Sequence, residues 1–176
     1  MTVTDWFETA PFPLLGLMTL LPLLAGLLLI RKQNLPRVDQ FGLLVSGLNV
    51  ALSLYLLVLF DVTQCCIQLA ERFSFAGLSY SAGVDGSNIL FLPLVTTLSF
   101  LVHVYTRLTA YAADHRFIAC LLLLEGIFIG AFSALNLLQF WLWCLLELGP
   151  VLWLILNAGT GTHKKEAALL LLRYWG

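Results

Sequence analysis

Two apolar runs stand end to end between Phe117 and Asn157, and each carries one carboxylate near its middle, Glu125 in the first and Glu147 in the second. Each run is about 20 residues long, enough for an α-helix to cross a hydrocarbon core of about 30 Å. A carboxylate at that depth costs several kcal/mol, roughly 2.5 to 3.5 for an Asp at a helix centre on insertion scales. A chain keeps such a group there for a partner or for a task. The two runs therefore set the terms on which the rest of the sequence is read.

The rest is of the same kind. Of 176 residues, 60% are hydrophobic and 11% charged, against about half apolar and about a quarter charged in soluble domains. Mean hydropathy is +0.94, and an integral membrane protein is the class that fits. A net charge of −1 gives no bulk basicity for nucleic acid. Cys65, Cys66, Cys120 and Cys144 lack the CxxC spacing of a zinc, redox or haem site and read as small apolar fillers. The first nine residues carry Asp5 and Glu8 but no Lys or Arg, and the apolar run after them is too long for a signal peptide. It reads as a retained span.

Apolar length predicts an all-α fold: a polytopic membrane helix bundle in a single domain, with spans over about 11–30, 41–60, 89–106, 117–136 and 137–157. The stretch from Glu166 to Gly176 is expected to start a sixth helix. Pro22 falls inside the first span and needs a neighbour to satisfy the carbonyl it frees. Asn49, the one strongly polar residue of the second span, reads as an interhelical hydrogen-bonder. Residues 61–88 form an extramembrane loop: 61–73 are expected to form a short surface helix, and the Gly- and Ser-rich 74–88 an extended or hairpin segment. Alternating the sides places Arg31, Lys32, Arg37, Arg107, Arg116, Lys164, Lys165 and Arg173 on one face and Arg72 on the other. By the positive-inside rule the first face is cytoplasmic and the N-terminus outside.

On that layout Glu125 is eight residues in from Phe117 and Glu147 ten residues in from Asn157. Both lie roughly 12–15 Å below the cytoplasmic face, at about 1.5 Å per residue. Two carboxylates at one depth on adjacent helices are candidates for proton handling, with His103 near the cytoplasmic end of span three as a third. Each also has a plainer reading, as a group hydrogen-bonded at a helix interface. Gly126 and Gly130 form a small-xxx-small ridge expected to pack against another helix. Pro150 interrupts span five just past its middle, a second packing feature.

The stretches GVDGSNILFLPLVTTLSFLVHVY and LLLLEGIFIGAFSALNLLQFWLWCLLELGPVLWLIL resemble the antiporter-like membrane subunits of respiratory complex I, of the NuoM/NdhD type. The resemblance covers about Gly83 to Leu156 and rests on the order and spacing of apolar motifs. It implies a family fold of about fourteen spans with two inverted five-helix repeats and broken helices. This chain resembles the first third of it. The family's Lys residues, which complete its proton path, belong to later spans. Two departures stand out. The family's span-five glutamate lies five residues before the proline, and that position is Leu145 here. Glu147 sits two residues further on, roughly 200° round the helix. The acidic residue that opens span five in the family is Asn136 here.

The resemblance implies a membrane-arm subunit of a proton-translocating NAD(P)H or ferredoxin:quinone oxidoreductase, in a bacterial inner membrane or a thylakoid membrane. It would take part in proton translocation or scaffold it. A divergent member of a cyanobacterial carbon-dioxide-uptake complex is one version of this. The alternatives are a subunit of a multi-subunit cation/proton antiporter and a non-transporting structural remnant. The expected partners are other membrane subunits of a hetero-oligomeric complex and the lipid bilayer. No cofactor is expected on this chain, which has no cluster, haem or nucleotide motif. Quinone, NAD(P)H or ferredoxin and the iron–sulfur clusters are expected elsewhere in the complex.

Overall fold

The structure is a computed structural model that describes residues 7–9, 12–31, 37–63, 67–75, 78–109, 114–157 and 163–175. Asp5, Cys65, Cys66, the turn at 32–36 and the glycine-rich turn at 158–162 lie outside the described residues. In chain order the elements are β1 (Phe7–Thr9), α1 (Leu14–Arg31), α2 (Val38–Leu59), β2 (Ile67–Phe75), β3 (Leu78–Val84), α3 (Phe91–Leu108), α4 (His115–Ser133), α5 (Leu137–Asn157) and α6 (Lys164–Trp175).

Helices α1 to α5 are long and apolar enough to cross a membrane, with mean hydropathy from 1.3 to 2.1. Their ends differ from the expected spans by no more than three residues, and local chemistry explains the differences. Asp114 caps α4 by accepting from the Arg116 N–H at 3.4 Å, so the helix takes in the polar His115 and Arg116. Before α3, Asp85 accepts from the N–H groups of Ser87 and Asn88, and this turn holds Ile89 and Leu90 out of the helix.

The segment read as a surface helix is instead a strand. β2 pairs with β3 in an antiparallel hairpin, with Glu71 opposite Ala82 and Arg72 opposite Ser81, and with β1 in parallel. A bulge between Gln68 and Glu71 accompanies the positive φ of Leu69 and brings Gln68, Ala70 and Glu71 all to buried positions. The small sheet is an addition to the helical architecture. Ala82 and Val84 of β3 join one core cluster with Leu14, Leu15 and Met18 of α1, Leu56 of α2, Leu92 of α3 and Ile129 of α4. The hairpin therefore sits on the end of the bundle where α1 and α3 begin and α2 and α4 end.

Inside the bundle α4 is central, packing on α1, α2, α3 and α5, whereas α5 packs on α4 and α6. Glycine sets the closest approach. A Cβ at Gly126 would stand 2.9 Å from the Thr19 carbonyl oxygen of α1, and a Cβ at Gly26 of α1 would stand 2.9 Å from the Ala119 carbonyl oxygen of α4. Backbone therefore meets backbone on both sides of the α1–α4 crossing.

Candidate functional site

Polar residues recur at helical spacing along one face of α2, at Ser46, Asn49 and Ser53, with Gly42 in the same register. On α3, Thr96, Ser99, His103 and Thr106 recur likewise. These faces meet to make a polar seam through an otherwise apolar bundle. Ser53 and Thr96 share a 2.8 Å hydroxyl hydrogen bond toward the hairpin end. Asp39 and Arg107 form an ion pair of 3.8 Å at the opposite end. Glu125 of α4 closes the seam between them.

Glu125 is 1% exposed. Its two oxygens are held from two different helices. Asn49 Nδ2 donates to Oε1 at 3.0 Å, and Ser99 Oγ donates to Oε2 at 2.8 Å. Hydrogen bonds to a charged acceptor are worth about 1.5–3 kcal/mol each in proteins. Asn49 also donates to the Met18 carbonyl oxygen at 3.2 Å. That carbonyl lies four residues before Pro22, which has no N–H to return to it. The proline of α1 thus frees the acceptor that helps aim the Asn49 amide at the carboxylate.

The arrangement has a use for either protonation state of Glu125. The carboxylate receives one donor on each oxygen. The Asn49 carbonyl oxygen is buried and has no hydrogen-bond partner among the described residues, so a turn of that amide would offer an acceptor to a protonated carboxyl. Beside the seam, between α3 and α4, lies a groove of about 370 Å³ lined by apolar side chains together with Ser99 and Glu125.

The other sequence candidates are placed differently. His103 lies in the same seam, 1% exposed, with Nδ1 2.9 Å from the Ser99 carbonyl oxygen. Glu147 does not join it. It is half-buried on α5 and makes no hydrogen bond or ion pair to the described residues. Leu145 is 36% exposed on the same helix. Gly126 faces Leu23 and Thr19 of α1, Gly130 faces the Trp143 ring of α5, and Pro150 is the buried residue of α5.

Sequence reasoning missed Ser99, one of several hydroxyl residues on its helix, and Glu71, read as part of a surface helix. Glu71 is 5% exposed on β2. Its carboxylate accepts from the N–H groups of Leu15 at 2.6 Å and Gly16 at 2.8 Å, in the first turn of α1. Those donors have no intrahelical partner, so the carboxylate satisfies them and meets the positive end of the helix dipole. Burial pushes its carboxyl up from the ordinary 4.5, and the hydrogen bonds from Gly16 and Leu15 partly oppose that.

No protein-family model matches the chain. Individual relatives do. The NADH-quinone oxidoreductase subunit M of Rickettsia prowazekii (strain Madrid E) is 31% identical over 171 residues, which is 92% of this chain and 34% of that protein. The NAD(P)H-quinone oxidoreductase chain 4 1 of Synechococcus sp. (strain JA-2-3B'a(2-13)) is 34% identical over 172 residues, 93% of this chain and 31% of that one. Among solved structures, a chain of respiratory complex I from Thermus thermophilus with bound NADH superposes with a TM-score of 0.70 at 31% identity, covering 88% of this chain and 31% of that one. This chain is therefore an integral membrane protein that spans about a third of the length of the relatives it matches. Over that third it is a homologue of the NuoM/NdhD-type antiporter-like subunits, those named subunit M and chain 4 in quinone oxidoreductases of the complex I kind.

Proposed function

We propose that the chain works in the membrane arm of a complex I-like, proton-translocating NAD(P)H or ferredoxin:quinone oxidoreductase, where Glu125 takes up and releases protons. The observation that carries this reading is the Glu125 carboxylate, buried in the bundle and held by Asn49 and Ser99 from two other helices. A group so placed is reached by protons along the seam, with lipid kept away by α1, α2 and α3. Its partners are other membrane subunits of a hetero-oligomeric complex in a bacterial inner membrane or a thylakoid membrane. Quinone, the reduced donor and the iron–sulfur clusters belong to those other subunits. The hairpin end faces outside and the end carrying Arg107 faces the cytoplasm, on the charge asymmetry.

Leu145 supports a second reading, in which the chain scaffolds proton transfer carried out by other subunits. An apolar side chain stands where the related subunits are expected to have a glutamate, and Glu147 has no partner among the described residues to replace it. One experiment separates the two. Proton uptake by vesicles holding the intact complex, normalised to electron transfer, is expected to fall in Glu125→Gln with assembly unchanged. Unchanged pumping in that variant leaves the scaffold reading.

A further inference from the structure

Among the described residues His103 is the imidazole of the seam, and its two nitrogens are not equivalent. Nδ1 faces the Ser99 carbonyl oxygen at 2.9 Å. A carbonyl only accepts, so Nδ1 carries the hydrogen and Nε2 is the basic nitrogen of the neutral ring. Nε2 is buried and has no hydrogen-bond partner among the described residues. It faces α2 at Gly42, where an added Cβ would stand 3.2 Å from Nε2 and 2.9 Å from Cδ2. The small residue at 42 makes room for the ring. Ser99 touches both titratable groups: its carbonyl holds His103, and its hydroxyl donates to Glu125 at 2.8 Å.

The titratable and charged groups on the helices around the ring are Asp39 and Tyr55 on α2, Tyr105 and Arg107 on α3, and His115, Arg116, Cys120 and Glu125 on α4, with Arg116 in the first turn of α4, nine residues before Glu125. Asp39 and Arg107 answer each other at 3.8 Å, and His115 lies 2.8 Å from Asp114. Among the described residues Glu125 is thus the carboxylate of the seam that no cation matches. In a water-poor interior a site of zero net charge is favoured over one carrying a bare charge. Glu125 and His103 reach zero in two ways: neutral carboxyl with neutral ring, or carboxylate with imidazolium.

We propose that Glu125 and His103 share a single proton, seated either on the Glu125 carboxyl or on His103 Nε2. Passing between the two states breaks one O–H bond and forms one N–H bond, with no change in total charge. The seam then carries its proton along α3, toward the end marked by Asp39 and Arg107, and away from α5. This rests on the proposed role of Glu125 as a proton carrier, but its test does not use pumping.

The test is ring-nitrogen NMR on the full chain in lipid nanodiscs, with His115 and His163 replaced by Gln so that one ring reports. The neutral ring is expected to show Nδ1–H and a bare Nε2. The His103 titration curve is expected to be displaced in Glu125→Gln and, to a smaller degree, in Ser99→Ala, and to be unmoved in Glu147→Gln. An Nε2–H tautomer, or a curve indifferent to both Glu125→Gln and Ser99→Ala, overturns the proposal. If Glu125→Gln does not fold, the Ser99→Ala curve and the tautomer decide alone. Loss of pumping dependence on Glu125 with these shifts intact would reject the proposed function and keep the shared proton.

Discussion

Glu125 stands ten residues from the start of α4 and Glu147 ten residues from the end of α5, on helices joined by the turn at Asn136, yet their surroundings are opposite. Of the apolar window of α4, 61% is buried, against 11% of that of α5. The cause is the number of neighbours. α4 is surrounded by four helices, and α5 meets α4 and α6. A carboxylate among four helices can be given donors by two of them. One on a helix at the edge of the bundle has to find its donors elsewhere. Position along a helix is therefore a weak guide to the role of a charged group, and position within the packing is a strong one.

The largest effect expected from breaking this contrast comes from glycine. Gly126→Leu drives a side chain into the Thr19 carbonyl and Leu23, and α1 and α4 have to separate. Overpacking of this kind costs about 1–3 kcal/mol, occasionally more. Thermal unfolding in detergent should show a large loss of stability, with Gly126/Gly130 double replacement by Leu blocking assembly in native gels. Gly149→Leu on α5, where an added Cβ meets nothing within 4 Å, should unfold close to the parent.

Next is Asn49→Leu, which leaves the Met18 carbonyl and Glu125 Oε1 each short of a donor. An unsatisfied buried group costs about 1–3 kcal/mol. Adding Pro22→Ala restores an N–H to the Met18 carbonyl, so the double variant should recover part of the loss in the same unfolding assay. No recovery would show that the proline is not what turns Asn49 inward.

The hairpin gives a pH-dependent effect. Burial raises the carboxyl of Glu71 in the folded chain above its ordinary 4.5. The folded state then binds more of this proton than the unfolded state, and the contribution of Glu71 is fully present below pH 4.5. It declines as pH rises through the raised folded value. Hydrogen exchange at the Leu15 and Gly16 amides should speed up over that interval beyond the intrinsic pH dependence, and Glu71→Ala should abolish the extra change. The smallest effect belongs to Glu147→Gln, expected to shift stability by no more than about 0.5 kcal/mol, as at an unpartnered site.

Much of this was legible in the sequence. Apolar runs of bilayer length marked five helices, and the short turn at Asn136 made α4 and α5 neighbours. The one strongly polar residue of span two, Asn49, showed that an interhelical bond was needed, and Pro22 showed that a carbonyl was free. That these two needs meet at one amide depends on the crossing of α1 and α2, which no local pattern encodes. The strand at 67–75 was misread because a bulge scrambles the alternation that identifies a half-buried strand. Ser99 was invisible for a different reason. A hydroxyl among the others of its helix, Thr96, Thr97 and Thr106, has the same sequence appearance whether it bonds its own backbone or a carboxylate across the seam.

The claim that most needs testing is that Glu125, and not Glu147, is the carboxyl enclosed by donors inside the bundle. Difference infrared spectroscopy on the chain in lipid, comparing acid and alkaline samples, reads carboxyl groups directly. The account predicts a hydrogen-bonded carboxyl band that disappears in Glu125→Gln, shifts in Asn49→Ala and Ser99→Ala, and stays unchanged in Glu147→Gln. A band that survives Glu125→Gln, or that Glu147→Gln removes instead, would contradict it.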